Sequence, residues 1–167
     1  MVKEKAIEVE PRSDNVKKVI RLDATSVDEF KSPTIRNLYQ WWESYTPELP
    51  TRDDFDISRH WEIAPSLYLI EAIAPGQYLF RLNGENVVNI FGSSFRGQEI
   101  SLTSELPELR RLAGYLDTLV EEKKPGRCTG VVEIMEVKVA CFETVDLPLL
   151  REDGSVGHLL GSISLVD

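Results

Sequence analysis

The sequence is poor in the side chains that most often carry chemistry, holding two cysteines, two histidines and two methionines in 167 residues. Cys128 and Cys141 have neither the C-x-x-C spacing of zinc and redox sites nor the density of a secreted disulfide scaffold. Two free thiols in a reducing compartment are expected, because the turn near Val137 to Val139 would not set the cysteines opposite each other on adjacent strands. His60 and His158 lie far apart and the acids are scattered, so no metal centre is expected. The densest acids, Asp53, Asp54 and Asp56, lack the glycine and terminal glutamate of a calcium loop and read as turn and cap residues. No G-x-S-x-G elbow exists for a nucleophile, and Gly92-x-x-x-x-Gly97 lacks the Lys-Ser/Thr of a phosphate loop. These absences argue against an enzyme. No stretch approaches the ~18 consecutive apolar residues of a spanning helix. Met1-Val2-Lys3-Glu4-Lys5-Ala6 alternates charge where a signal peptide would need an apolar run, so a cytoplasmic location is expected. Basic excess is missing too. The 19 Lys and Arg face 28 Asp and Glu, a formal charge of -9, and Lys17-Lys18, Arg110-Arg111 and Lys123-Lys124 are each interrupted by nearby acids. That balance repels polyanions and argues against a nucleic-acid partner.

What is present is ordinary for a globular domain, with 42% hydrophobic and 28% charged residues. Residues 1–30 are charged and have few large apolar groups beyond Val16, Val19, Ile20 and Leu22. They read as a poorly ordered tail with one edge strand at 16–22, dispensable for folding, before a single domain at 31–167. Ser32-Pro33 is a cap followed by proline at the first helical position. Ile35, Leu38, Tyr39, Trp42 and Tyr45 then recur at steps of three and four, predicting an amphipathic helix closed by Pro47 and Pro50. Strand periodicity follows at 67–73 and 77–83 around a Pro75-Gly76 turn. Glu85 to Phe91 reads as a short helix stopped by Gly92, and Phe95-Arg96-Gly97 as irregular. Leu106, Leu109, Leu112, Leu116, Leu119 and Val120 mark one stripe of a longer helix. Three strands end the chain, at roughly 127–136, 140–150 and 157–166. The pattern predicts an α+β fold, an antiparallel sheet with short helices and one longer helix on one face. The N-terminal amphipathic helix is free to cover the other.

That order, two strands, short helices, a longer helix and three strands, resembles a PAS domain, and more narrowly the bacterial family of small proteins consisting of little beyond one PAS domain. The residues that carry the likeness run from Tyr39–Trp42 and the LPTRDDFD stretch at 49–56 through Pro65-Ser66-Leu67-Tyr68-Leu69 and Arg81-Leu82-Asn83-Gly84. Ile90-Phe91-Gly92, Phe95 to Ile100, Leu147-Pro148-Leu149 and Leu160-Gly161-Ser162 continue it, so that it spans about 32–165. The resemblance implies a five-stranded antiparallel sheet cupping a small pocket under the helices, used to bind a ligand or dock a partner. Flavin-binding members of the wider superfamily carry a reactive cysteine in the helical block, and haem-binding members a histidine above the pocket. Here the block from Gly84 to Ser101 has no cysteine, and His60 and His158 lie outside it, so no cofactor is expected.

Pocket candidates follow from this arrangement. Arg81 sits mid-strand with Leu79 and Asn83 counted on its face, and Ile90, Phe91 and Leu112 would cover that face. A covered Arg81 must pair, either internally with Asp54 or Asp56 or with an anionic ligand. Trp41, Trp42 and Tyr45 are candidates for a partner or homodimer interface, tryptophan being enriched at such contacts. The expected function is a sensory or regulatory module that binds a small ligand or a protein partner. Because the chain ends just after the last strand, signalling in trans is expected. The rival is a small-molecule enzyme on an α+β cup, told apart by whether the pocket holds a paired acid and base.

Overall fold

The computed structural model describes residues 4–9 and 12–166, with the backbone alone over 4–6. Its strands are β1 (Glu4–Val9), β2 (Val16–Asp23), β3 (Leu67–Ala74), β4 (Gln77–Asn83), β5 (Glu99–Ser101), β6 (Gly126–Ile134), β7 (Lys138–Leu150) and β8 (Val156–Val166). They form one antiparallel sheet in the order β1-β2-β6-β7-β8-β3-β4-β5. The helices are α1 (Pro33–Glu43), α2 (Glu85–Phe91) and α3 (Pro107–Glu122).

The five expected strands form the middle of this sheet, β6-β7-β8-β3-β4, and three more extend it to eight. β5 has three residues, too few for a period to show. The larger correction is at the N-terminus, where β2 is an inner strand paired to both β1 and β6. Val16 and Val19 are buried in the core, and Phe30 is 2% exposed, so this stretch is integral to the domain rather than a tail. Its apolar residues are too few for a whole strand face, but neighbouring elements complete the face. β1 reverses the usual pattern: Ile7 and Val9 are exposed while Glu8 turns inward to an ion pair with Arg21.

α1 starts where the cap signal places it, with the Ser32 hydroxyl accepting from Ile35 N. Glu143 on β7 accepts from the Lys31 and Ser32 amides and fixes that end to the sheet. The buried stripe Ile35, Leu38, Tyr39 and Trp42 packs on Leu67, Leu69, Val145, Leu147 and Leu160, and Trp42 Nε1 donates to Pro148 O at 2.9 Å. α2 and α3 cover the opposite face. There Val87, Ile90, Leu109, Leu116 and Leu119 meet Ile70, Tyr78, Phe80, Phe142 and Leu159. The sheet is thus buried on both faces at its centre, and the second core encloses the site described next.

Candidate functional site

One row of residues runs across four central strands under α3: Gly126 on β6, Asp146 on β7, Gly161 on β8 and Tyr68 on β3, each opposite the next. Directly opposed residues share a face of the sheet. The glycines on either side of Asp146 leave two notches. A Cβ at Gly161 would lie 2.0 Å from the Tyr68 ring, and one at Gly126 would lie 2.3 Å from Tyr115 Oη. The two phenols therefore reach Asp146 from opposite sides, Tyr68 Oη donating to Oδ1 at 2.5 Å and Tyr115 Oη to Oδ2 at 2.7 Å. Asp146 is 4% exposed. Burial pushes its carboxyl above the ordinary range, against the lowering by both phenols and by the Arg21 charge.

Above this row lies a partly enclosed cavity of about 160 Å³ between the sheet, α2, α3 and the segment entering β2. Its apolar wall includes Ile70, Phe80, Phe91, Phe95, Leu112 and Phe142. The phenylalanines form a chain: Phe80 stacks on Phe95 at 5.3 Å, and Phe91 meets Phe95 edge-on at 5.3 Å and Phe142 at 6.5 Å. The polar end is built by the N-terminal segment. Arg21 lies 4.5 Å over the Tyr115 ring and donates to Glu8 Oε2 at 2.6 Å and to Cys128 Sγ at 3.3 Å. Burial raises the Glu8 carboxyl, but hydrogen bonds and charge from Arg21 and Arg111 outweigh it and hold it below the ordinary range. Arg12 pairs with Asp14 through Nε at 2.9 Å and Nη2 at 2.8 Å. Glu108 of α3 accepts from the Ser13 amide and hydroxyl.

Burial pushes the Cys128 thiol up, away from the thiolate a nucleophile needs. Cys141 is exposed, and the register sets Cys128 opposite Thr144, with both thiols free.

Two of the pocket residues expected from the sequence, Phe91 and Leu112, line the cavity. Ile90 is buried beside it and faces a separate groove with Ser32 and Ser164. Arg81 is a correction: it is exposed and donates to Glu71 on the neighbouring strand at 3.0 and 3.1 Å, far from the role expected with Asp54 or Asp56. Asp54 accepts from Thr51 N and Asp56 from Ser58 N instead. Tyr78 and Phe80 take the face under the helices, which puts Leu79 and Arg81 on the other, and a β-bulge follows. Leu69 pairs with Leu82 and Ile70 with Phe80, so Arg81 is the extra residue and the alternation resets beyond it. Asn83 consequently lies opposite Tyr68, and its Oδ1 accepts from Phe95 N at 2.9 Å, bracing a cavity wall. Leu79 is paired to Glu71 and Glu99 on either side and lies in a shallow groove with Ile73.

Among the interface candidates, Trp42 is core, whereas Trp41 is half-buried in edge-on contact with Tyr45 at 5.5 Å and Phe55 at 5.2 Å. Residues that sequence reasoning passed over build most of the site: Arg12, Arg21, Tyr68, Tyr115, Cys128 and Asp146. One signal was available, a lone acid inside the apolar run Val145 to Leu150.

No curated protein matches this chain. Among solved structures, a light-oxygen-voltage domain studied with a flavin analogue is 12% identical, covering 68% of this chain and 87% of its own, at a TM-score of 0.47. The light state of the blue-light photoreceptor aureochrome1 LOV is 11% identical, covering 66% and 88%, at 0.43. An RNA-binding light-oxygen-voltage receptor is 12% identical at 0.50, covering 92% of this chain, which spans only 39% of that receptor. At such identities the likeness concerns the fold. The family model described as PAS domain matches residues 30–164, and the chain belongs to the PAS-domain family.

Proposed function

We propose that this protein is a sensory module that takes a small molecule into the cavity between sheet and α3 and passes its occupancy to a partner in trans. The observation that carries this reading is the cavity itself, apolar over most of its wall and polar at one end, as ligand sites are. Its polar end also joins three parts of the chain, since Glu8, Arg21 and Arg111 link β1, β2 and α3. A ligand there would act on the N-terminal strands directly. An enzyme is less well supported: Asp146 is occupied by two phenols and Glu108 by Ser13, which leaves no acid and base facing a common substrate position.

Association is the proposed output, between copies of this chain or with a signalling partner in the cytoplasm. Beside α1 the sheet exposes Val9 (56%) and Val139 (69%), and Trp41 stands at the other end of that face. The test is a titration of the full chain with ethylbenzene, followed by cavity resonances and by sedimentation. Shifts at Phe80, Phe91 and Phe95 with a change in association state are expected. A chain whose cavity resonances do not respond to an apolar ring would refute the reading.

A further inference from the structure

If the cavity is a ligand site, its polar end narrows what it takes. The volume of about 160 Å³ is close to that of an engineered cavity elsewhere, of ~150 Å³, which admits benzene, so one ring fills it. Among the described residues of this polar cluster, Arg12 Nη1 and Arg111 Nη2 are buried without a hydrogen-bond partner, and of the two arginines Arg12 lines the cavity. Arg21 is held by Glu8, Asp146 by Tyr68 and Tyr115, and Glu108 by Ser13. The Arg12 side chain, 7% exposed and lining the cavity, uses Nε and Nη2 on Asp14. Its Nη1 is buried without a hydrogen bond, the Glu8 carboxylate lying 3.6 Å away. A buried donor left unmade is destabilising and calls for an acceptor.

Charge decides which acceptor. Arg12, Arg21 and Arg111 face Glu8, Asp14 and Glu108, three cations against three carboxylates. A fourth acid, Asp146, is already buried at the cavity. An anionic ligand would add charge with no counter-ion left, which burial penalises; a neutral acceptor fills the donor without doing so. We propose that the cavity takes a neutral, single-ring molecule bearing one carbonyl-type acceptor, its ring among Phe80, Phe91, Phe95 and Leu112 and its acceptor on Arg12 Nη1.

Three probes of one size test this by calorimetry on the full chain: ethylbenzene, acetophenone and benzoate. Acetophenone is expected to bind about ten-fold or more tighter than ethylbenzene, the effect of one hydrogen bond to a charged donor, and benzoate more weakly than acetophenone. Arg12→Met is expected to abolish the preference for acetophenone while ethylbenzene still binds. The wild-type comparison decides the matter even if that variant does not fold. Equal binding of acetophenone and ethylbenzene would overturn the proposal and leave the sensory reading standing, as would tightest binding of benzoate. Failure of all three to bind would overturn both.

Discussion

A single carboxyl shows how strongly surroundings set chemistry here. Asp146 accepts two phenolic hydrogen bonds, which by themselves would lower its pKa, yet full removal from water raises it. An acid raised in the folded state favours folding below its ordinary value of 3.8, and that contribution is lost as pH rises through the folded-state value. Glu8 and Glu108 behave oppositely, their contributions being present above the ordinary 4.5 and lost on acidification through their lowered values. Asp146→Asn is therefore expected to gain stability relative to wild type as pH rises above about 4. Urea unfolding of both proteins between acid and neutral pH measures this, and a difference that stays constant across the range would show that Asp146 ionises like an exposed aspartate. With Tyr78 and Phe80 inward, period-two counting places Arg81 in solvent beside Glu71, but it is valid only along an unbroken ladder, and one inserted residue moves Asn83 to the cavity side.

At the scale of elements, the helices were legible because each carries its own signals. Ser32-Pro33 begins α1 and a leucine stripe fills α3. Of the N-terminal strands, β2 was legible as a strand but not as an inner one and β1 was not legible at all, since their places come from β1 pairing with β2 and β2 with β6 rather than from pattern. Glu8 is inward only because Arg21 awaits it. Deleting residues 1–30 removes Val16, Val19 and Phe30 from the core, at roughly 1.5–3 kcal/mol each, along with the ladder between β2 and β6. Against a typical total stability of ~5–15 kcal/mol, that loss is expected to abolish cooperative unfolding. Circular dichroism melting of the truncated chain checks it, and a sharp melt near that of the full chain would mean that the cavity closes without its N-terminal wall.

For the whole molecule, one question is whether the cavity can hold a chromophore. The cavity, at about 160 Å³, is smaller than the ~300–1,000 Å³ of ordinary small-molecule sites, and its cysteine comes from β6 with its thiol pushed up by burial. The purified full-length protein is expected to be colourless. A visible absorption spectrum decides this, and a stoichiometric band of flavin or haem would contradict the expectation and require the phenylalanine wall to open. Cavity size also bears on the output. A ligand of one ring displaces little, so the proposed route from the cavity to association is the Glu8, Arg21 and Arg111 cluster that ties α3 to the outer strands.

The sequence by itself determined the α+β class, the order of the central elements, the α1 cap and buried stripe, and the resemblance that the family match upholds. Apart from the resemblance, these are local: each element rests on a period, a cap or a turn within a dozen or so residues. Only the tertiary structure decided the eight-stranded width, the inner position of β2 and the composition of the cavity. Arg12, Tyr68, Tyr115 and Asp146 are far apart in the chain, and no spacing rule joins them. Tyr68, Tyr115 and Asp146 meet because β6, β7, β8 and β3 bring Gly126, Asp146, Gly161 and Tyr68 into one row and two glycines leave room for two phenols above it, while Arg12 reaches the cavity on the segment before β2.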